Sequence, residues 1–146
     1  MRIYFDACSL QRPLDDRSQP RIHIEAEAVL TVLRLIEAGR LDLLSSEALE
    51  FEVDRIPNQY RKVQMTEMLK LATEVIQLND EIEALADSFI QAGIKPLDAL
   101  HLASASSANT AYFCTCDDRL LRKGKNLKSL LTRIVSPLEL VAEVAP

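Results

Sequence analysis

Asp6, Glu52, Asp98 and Asp117 lie far apart in the chain, yet each stands where a carboxylate could reach one shared point. Asp6 ends the apolar run Ile3-Tyr4-Phe5, and Glu52 lies on a helical stretch just after the run Leu41-Asp42-Leu43-Leu44. Asp98 opens a helix immediately after Pro96, and Asp117 closes the run from Ala111 to Cys116. In an open parallel sheet, ligands bind beyond the carboxyl ends of the strands. Three or four carboxylates gathered there repel one another unless a hard cation holds them. The chemistry open to such a group is hydrolysis of a phosphodiester with Mg²⁺ or Mn²⁺. Taken singly, each acid has a plainer use, since Asp ends strands, fills turns and caps helix starts. The weight therefore rests on the set.

The elements that must position these acids follow from the hydrophobic pattern. Apolar runs alternate with amphipathic segments, which predicts an α/β protein with a mainly parallel sheet. Strands are expected near 2–6, 41–45, 74–78, 111–116 and 133–136. After the first strand, the stretch containing Pro13, Asp15, Asp16 and Pro20 reads as a loop. A long helix over about 21–38 follows, with Ile24, Ala28, Leu30, Val32, Leu35 and Ile36 as its core stripe and Gly39 as its stop. Further helices are predicted after Ser45 or Ser46, over 59–72, from Asn79 or Asp80 to Ala92, over 96–108, just after Asp117, and from Pro137.

Bulk properties narrow the class. A chain of 146 residues that is 48% hydrophobic, with three Gly and six Pro, predicts one ordered domain over 1–146. With no Trp and few aromatics, the core is expected to consist of Leu, Ile, Val and Ala. No apolar stretch has the length of a signal peptide or a membrane span, and the three cysteines show no disulfide spacing. A reduced, cytoplasmic protein with no membrane contact is expected. The net charge of −5 argues against a protein that coats nucleic acid. That charge is unevenly distributed: from Arg119 to Arg133 there are six basic residues and no acidic one. An acidic pocket beside a basic segment suits an enzyme that grips a polyanion and cuts it; a solvated charge run is the plainer reading.

Four stretches carry a resemblance to a known family: Ile3-Tyr4-Phe5-Asp6, Ser45 to Val53, Pro96 to Ala105 and Phe113 to Asp117. The chain resembles a PIN-domain ribonuclease of the kind found as the toxin in VapBC-type toxin–antitoxin pairs. Asp98-Ala99-Leu100-His101-Leu102-Ala103 is its most specific match, and Phe113-Cys114-Thr115-Cys116-Asp117 matches the family's strand end. The resemblance implies a three-layer α/β/α fold with about five strands in the order 3-2-1-4-5. It makes Asp6, Asp98 and Asp117 carboxylates of a metal centre and Glu52 the helix carboxylate, often acting through a water on the metal. Asp118 would be a helper. The implied activity is endoribonuclease cleavage with Mg²⁺ or Mn²⁺, leaving 5′-phosphate and 3′-hydroxyl ends. Implied partners are RNA, a small antitoxin and a second copy of the chain through the helices of 59–92.

One departure stands out. The family commonly continues Asp-Thr-Ser or Asp-Thr-Asn, whereas this chain has Asp6-Ala7-Cys8-Ser9, which shifts the hydroxyl to Ser9. Ser9, Arg119 and Arg122 are the candidate substrate contacts. His101, one helical turn past Asp98, could touch substrate or hydrogen-bond the acid, or simply fill the core. Cys8 and Cys116 could meet if their strands are neighbours, and a zinc role for Cys114 and Cys116 has little support. A haloacid-dehalogenase-type phosphatase needs a second Asp two residues after the first, where this chain has Cys8. A receiver domain finds little support near Asp80 or Ser136. The competing readings are a non-catalytic PIN scaffold that binds RNA or protein and a PIN nuclease of housekeeping RNA turnover.

Overall fold

The computed structural model describes residues 1–128 and 130–145. Five parallel strands form one sheet: β1 (Arg2–Phe5), β2 (Asp42–Ser46), β3 (Ala72–Ile76), β4 (Tyr112–Cys114) and β5 (Arg133–Val135). Their order is β3-β2-β1-β4-β5. The chain leaves β1 toward β2 and β3, then returns on the other side to form β4 and β5. The crevice beyond the ends of β1 and β4 is therefore the topological switch point.

The central strand is buried on both faces, with Ile3, Tyr4 and Phe5 fully enclosed, so helices must cover both. The helices are α1 (Ala7–Gln11), α2 (Pro20–Glu37), α3 (Glu47–Asp54), α4 (Gln59–Leu69), α5 (Asp80–Gln91), α6 (Pro96–Ser107), α7 (Asp118–Lys125) and α8 (Pro137–Val144). α2 packs on α8, while α6 packs on α5 and α3, giving the expected three-layer α/β/α arrangement. Starts are capped as the sequence suggests: Ser46 accepts from the Leu49 amide, Asn79 from that of Ile82, and Ser136 forms a reciprocal capping box with Glu139. Gly39 takes a positive φ of 73° at the stop of α2.

Three expectations need correction. The stretch after Asp6 is not a loop: it folds into α1 and a 3₁₀ turn over Arg12–Leu14, because the Asp6 carboxylate caps it through the Ser9 amide. The edge strand β3 begins at Ala72, two residues earlier than its alternation implies. Its three middle residues are exposed, and its pairing with β2 is irregular between Leu43 and Leu44, so the period of two carried no burial signal. The core is also more aromatic than its composition implies, since Tyr4, Phe5 and Phe113 are among its largest fully buried side chains.

The stripe of α2 is turned as well. Ile24, expected inward, is 49% exposed, and Glu25 is buried at 3%. A buried carboxylate needs a partner. Arg12 supplies it, its Nε 3.2 Å from Glu25, and Arg21 stands at 3.7 Å. Arg12→Ala is expected to cost roughly 3 kcal/mol in urea unfolding, the lower end for truncating one partner of a buried pair, because Arg21 stays near Glu25. A loss under about 0.5 kcal/mol, the range of neutral surface changes, would contradict this assignment.

Candidate active site

Each of the four acids is placed by a different local device. Asp6 follows β1 and is only 4% exposed, with its amide donating to the carbonyl of Cys114 on β4. Its carboxylate accepts from the Ser9 amide at 3.0 Å and has the Cys8 thiol 3.2 Å from each oxygen. Burial pushes the Asp6 carboxyl up, and hydrogen bonds from Thr115, Ser9 and Cys8 pull it partly back. Asp117 begins α7, where its Oδ1 accepts from the amides of Arg119 and Leu120. Thr115 stands by both: its hydroxyl accepts from the Asp117 amide at 3.0 Å and draws the Asp6 carboxyl down.

Asp98 lies in the first turn of α6, behind Pro96 at the helix start. Its carboxylate meets no hydrogen-bond donor or ion-pair partner among the described residues. Burial raises its pKa first, and the charges of Asp6, Asp117 and Glu52 raise it further, against the pull of His101. The four acids therefore share one electrostatic neighbourhood. Glu52 reaches it from the last turn of α3, its side chain one-third exposed and its Oε1 accepting from His101 Nε2 at 2.7 Å.

The remaining candidates separate. Arg119 lines a narrow cavity of about 30 Å³ together with Asp98, Asp117, Gly93, Lys95 and Lys123. Arg122 is exposed on α7 and lines none of the cavities with the acids. Ser9 is fully buried, and its hydroxyl donates to the Cys114 carbonyl at 3.2 Å, so it holds α1 to β4 instead of facing outward. Asp118 points away from the acids into a two-bond pair with Arg21, at 2.6 and 2.9 Å, which pulls its carboxyl down. His23 is exposed. Cys8 and Cys116 act on each other, which raises the Cys8 thiol and lowers that of Cys116, and all three cysteines are free.

Sequence reasoning missed four participants. Lys95 and Lys123 flank the cavity, Lys123 by way of a 2.6 Å bond to the Gly93 carbonyl. Lys123 lay in the basic run, but Lys95 had no signal beyond its place before Pro96. Tyr4 and Ser46 join His101 in a buried hydrogen-bonded chain that no spacing rule reveals.

The donor chemistry suits a hard divalent cation, for which carboxylate oxygen is the preferred ligand. Asp98, unpartnered and pushed up by three neighbouring negative charges, is the group such a cation would relieve. Among the described residues no three His, Cys, Asp or Glu side chains converge closely enough to hold an ion as they stand. Gathering them needs side-chain rotation, which the free Asp98 carboxylate and the unengaged Oε2 of Glu52 permit.

An open parallel sheet with acids at its switch point defines an α/β class whose ligands bind beyond the strand ends. Within that class, the PIN domain profile matches residues 10–126, and the chain belongs to the PIN domain family. Members of this family are generally nucleases that use divalent metal ions. Two solved structures share the fold. One is VapBC2 from Rickettsia felis bound to a DNA fragment from the promoter, at 12% identity and a TM-score of 0.59, covering 92% of this chain and 99% of that one. The other is PAE2754 from Pyrobaculum aerophilum, at 17% identity and a TM-score of 0.60, covering 99% of this chain and 90% of that one. No curated protein sequence matches this one significantly. Among the described residues, no helix is long and apolar enough to cross a membrane.

Proposed function

We propose that this chain is a divalent-metal-dependent endoribonuclease acting as a single domain over 1–146, with Asp6, Asp98 and Asp117 as metal carboxylates. Glu52 is the fourth acid of the centre. The observation that carries the reading is the Asp98 carboxyl, raised by burial and by the three other acids while lacking any partner among the described residues. Such a group destabilises an empty fold and becomes favourable once a cation is bound.

When bound, Mg²⁺ or Mn²⁺ supplies Lewis acidity toward a phosphate oxygen and lowers the pKa of water. The chain's own residues do the rest. Asp6, buried and capped into α1, provides the most rigid ligand. Asp117 offers Oδ2 while Oδ1 holds the start of α7. Glu52 would meet the cation, or a water beside it, through Oε2. Arg119, Lys95 and Lys123 line the cavity and meet the charge of adjoining phosphates. None of these side chains needs to form a covalent intermediate.

Incubating the purified protein with a pool of structured RNA in Mg²⁺, Mn²⁺ or EDTA tests the reading. Cutting in metal but not in EDTA, with 5′-phosphate ends, is the expected result. Intact RNA in every condition would favour the non-catalytic scaffold. Arg119→Ala and Lys95→Ala are each expected to weaken RNA binding and to reduce the slope of log affinity against log salt by about one, as for loss of a phosphate contact. An unchanged slope would remove that side chain from the path.

The toxin role is proposed from the VapBC2 likeness, with a small antitoxin as partner; a housekeeping nuclease is the alternative. The exposed Phe51, Tyr60 and Val63 supply apolar surface for a protein partner or a second copy. Cytoplasmic location belongs to the same proposal.

A further inference from the structure

His101 is the one buried titratable side chain on α6 and, at 1% exposure, it touches no solvent. Both of its ring nitrogens are engaged. Nε2 lies 2.7 Å from Glu52 Oε1, and Nδ1 lies 2.7 Å from the Tyr4 hydroxyl. Tyr4 in turn bonds Ser46 Oγ at 2.6 Å, and Ser46 Oγ accepts from the Leu49 amide at 3.0 Å. Ser46 caps α3, and Glu52 lies on that same helix. The bonds thus form a loop from the start of α3, through β1 and α6, back to the end of α3.

The polarity of one link is determined by chemistry. An ionised carboxylate only accepts, so Nε2 carries the proton that faces Glu52. The ring cannot turn without breaking both hydrogen bonds, and its anchor is stiff. Tyr4 is fully buried and stacked on Phe113 with ring centroids 5.5 Å apart and planes 10° apart. Glu52, by contrast, has three side-chain torsions and is one-third exposed. Without a partner, its carboxylate would sample many positions. An apolar side chain at 101 could fill the same volume, but it would cost the buried Tyr4 hydroxyl one of its two partners and release Glu52.

We propose that His101 is a positioning residue: it engages Glu52 Oε1 and so presents Oε2 to the divalent cation of the four-acid centre. The inference rests on the nuclease reading above. His101 touches neither cation nor RNA, and acts only through Glu52. Partners of this kind behind a metal ligand typically contribute 10- to 100-fold in metal affinity.

Two substitutions separate the two nitrogens. His101→Gln places an amide donor near the site of Nε2 and keeps the bond to Glu52. His101→Asn places its polar atoms near Nδ1, keeps the link to Tyr4 and loses Glu52. Mn²⁺ affinity of the folded proteins, measured by calorimetry, is expected to fall roughly 10-fold or more in His101→Asn and about threefold or less in His101→Gln. In a Glu52→Gln background, His101→Asn should have no further effect on Mn²⁺ affinity, because the residue acts through Glu52. Thermal melting of the metal-free proteins is recorded alongside, so that loss of folding is not mistaken for loss of affinity. If Asn and Gln variants bind Mn²⁺ equally, or if the Asn effect persists without Glu52, the positioning role is overturned while the metal centre stands. A wild-type protein that binds no Mn²⁺ overturns both.

Discussion

Asp98→Asn is expected to make the metal-free protein more stable and to reduce RNA cleavage by about 100-fold or more, two effects of opposite sign from one charge. The loss follows from removing an anionic ligand whose interaction with a cation is worth several kcal/mol, and 100-fold corresponds to about 2.7 kcal/mol. The gain follows from the state of the empty site. Burial first, and then Asp6, Asp117 and Glu52, hold the Asp98 carboxyl above its ordinary value. A carboxyl raised in the fold contributes stability that is fully present below its unfolded pKa of about 3.9 and is lost as pH rises through the folded value. At pH 7 wild type bears that loss and the Asn variant does not. A gain of about 1 kcal/mol, as for other relieved sites, is expected at pH 7, and it should close as pH falls toward about 4. Melting curves across this range without metal, with cleavage rates alongside, read both effects. A variant that is less stable at pH 7, or one that still cuts RNA at the wild-type rate, would remove Asp98 from the centre.

The largest expected loss of stability lies behind the site, at Phe113. This side chain is fully buried on β4 and pairs in register with Tyr4 on β1, against which it stacks. Phe113→Ala removes the ring and leaves a cavity that a parallel sheet, clamped on both sides, cannot collapse into. A loss of 3–5 kcal/mol is expected, as for other buried aromatic truncations. Against a total of about 5–15 kcal/mol that is a large share of the fold. Urea unfolding gives the difference directly, and a change under about 1 kcal/mol would mean that the centre of the sheet is not packed as described. Because Tyr4 anchors His101, the same variant should loosen Glu52.

Much of this arrangement is legible in the residues. The five strands match expectation because the inner strands are continuous apolar runs, and helix starts are marked by Ser46, Asn79, Pro96 and Ser136; the order of the sheet is the one the family resemblance implied. Asp6, Asp117 and Glu52 each act electrostatically on Asp98, although among the described residues no three of the acids converge closely. What could not be read has physical reasons. The helix after Asp6 is five residues long and depends on a cap, not on periodicity. Glu25 is buried because Arg12, thirteen positions earlier, meets it there, and a helical stripe counts only apolar residues. Edge strand β3 faces solvent, so its alternation had no face to report. Tyr4, Ser46 and His101 meet through tertiary packing alone, and nothing local in the chain announces a hydrogen bond across 97 positions. Ser9 was drawn toward substrate by its hydroxyl, but its place in the structure turns that hydroxyl onto a backbone carbonyl.

The most direct test of the central claim is a Mn²⁺ titration of the metal-free protein by calorimetry, with Asp6→Asn beside wild type. Asp6 is the most buried of the four acids and has little freedom to be replaced by a neighbour. Saturable binding is expected in wild type and at least tenfold weaker binding in the variant, a loss of about 1.4 kcal/mol or more. Equal binding by both proteins, or no saturable binding by wild type, would contradict it.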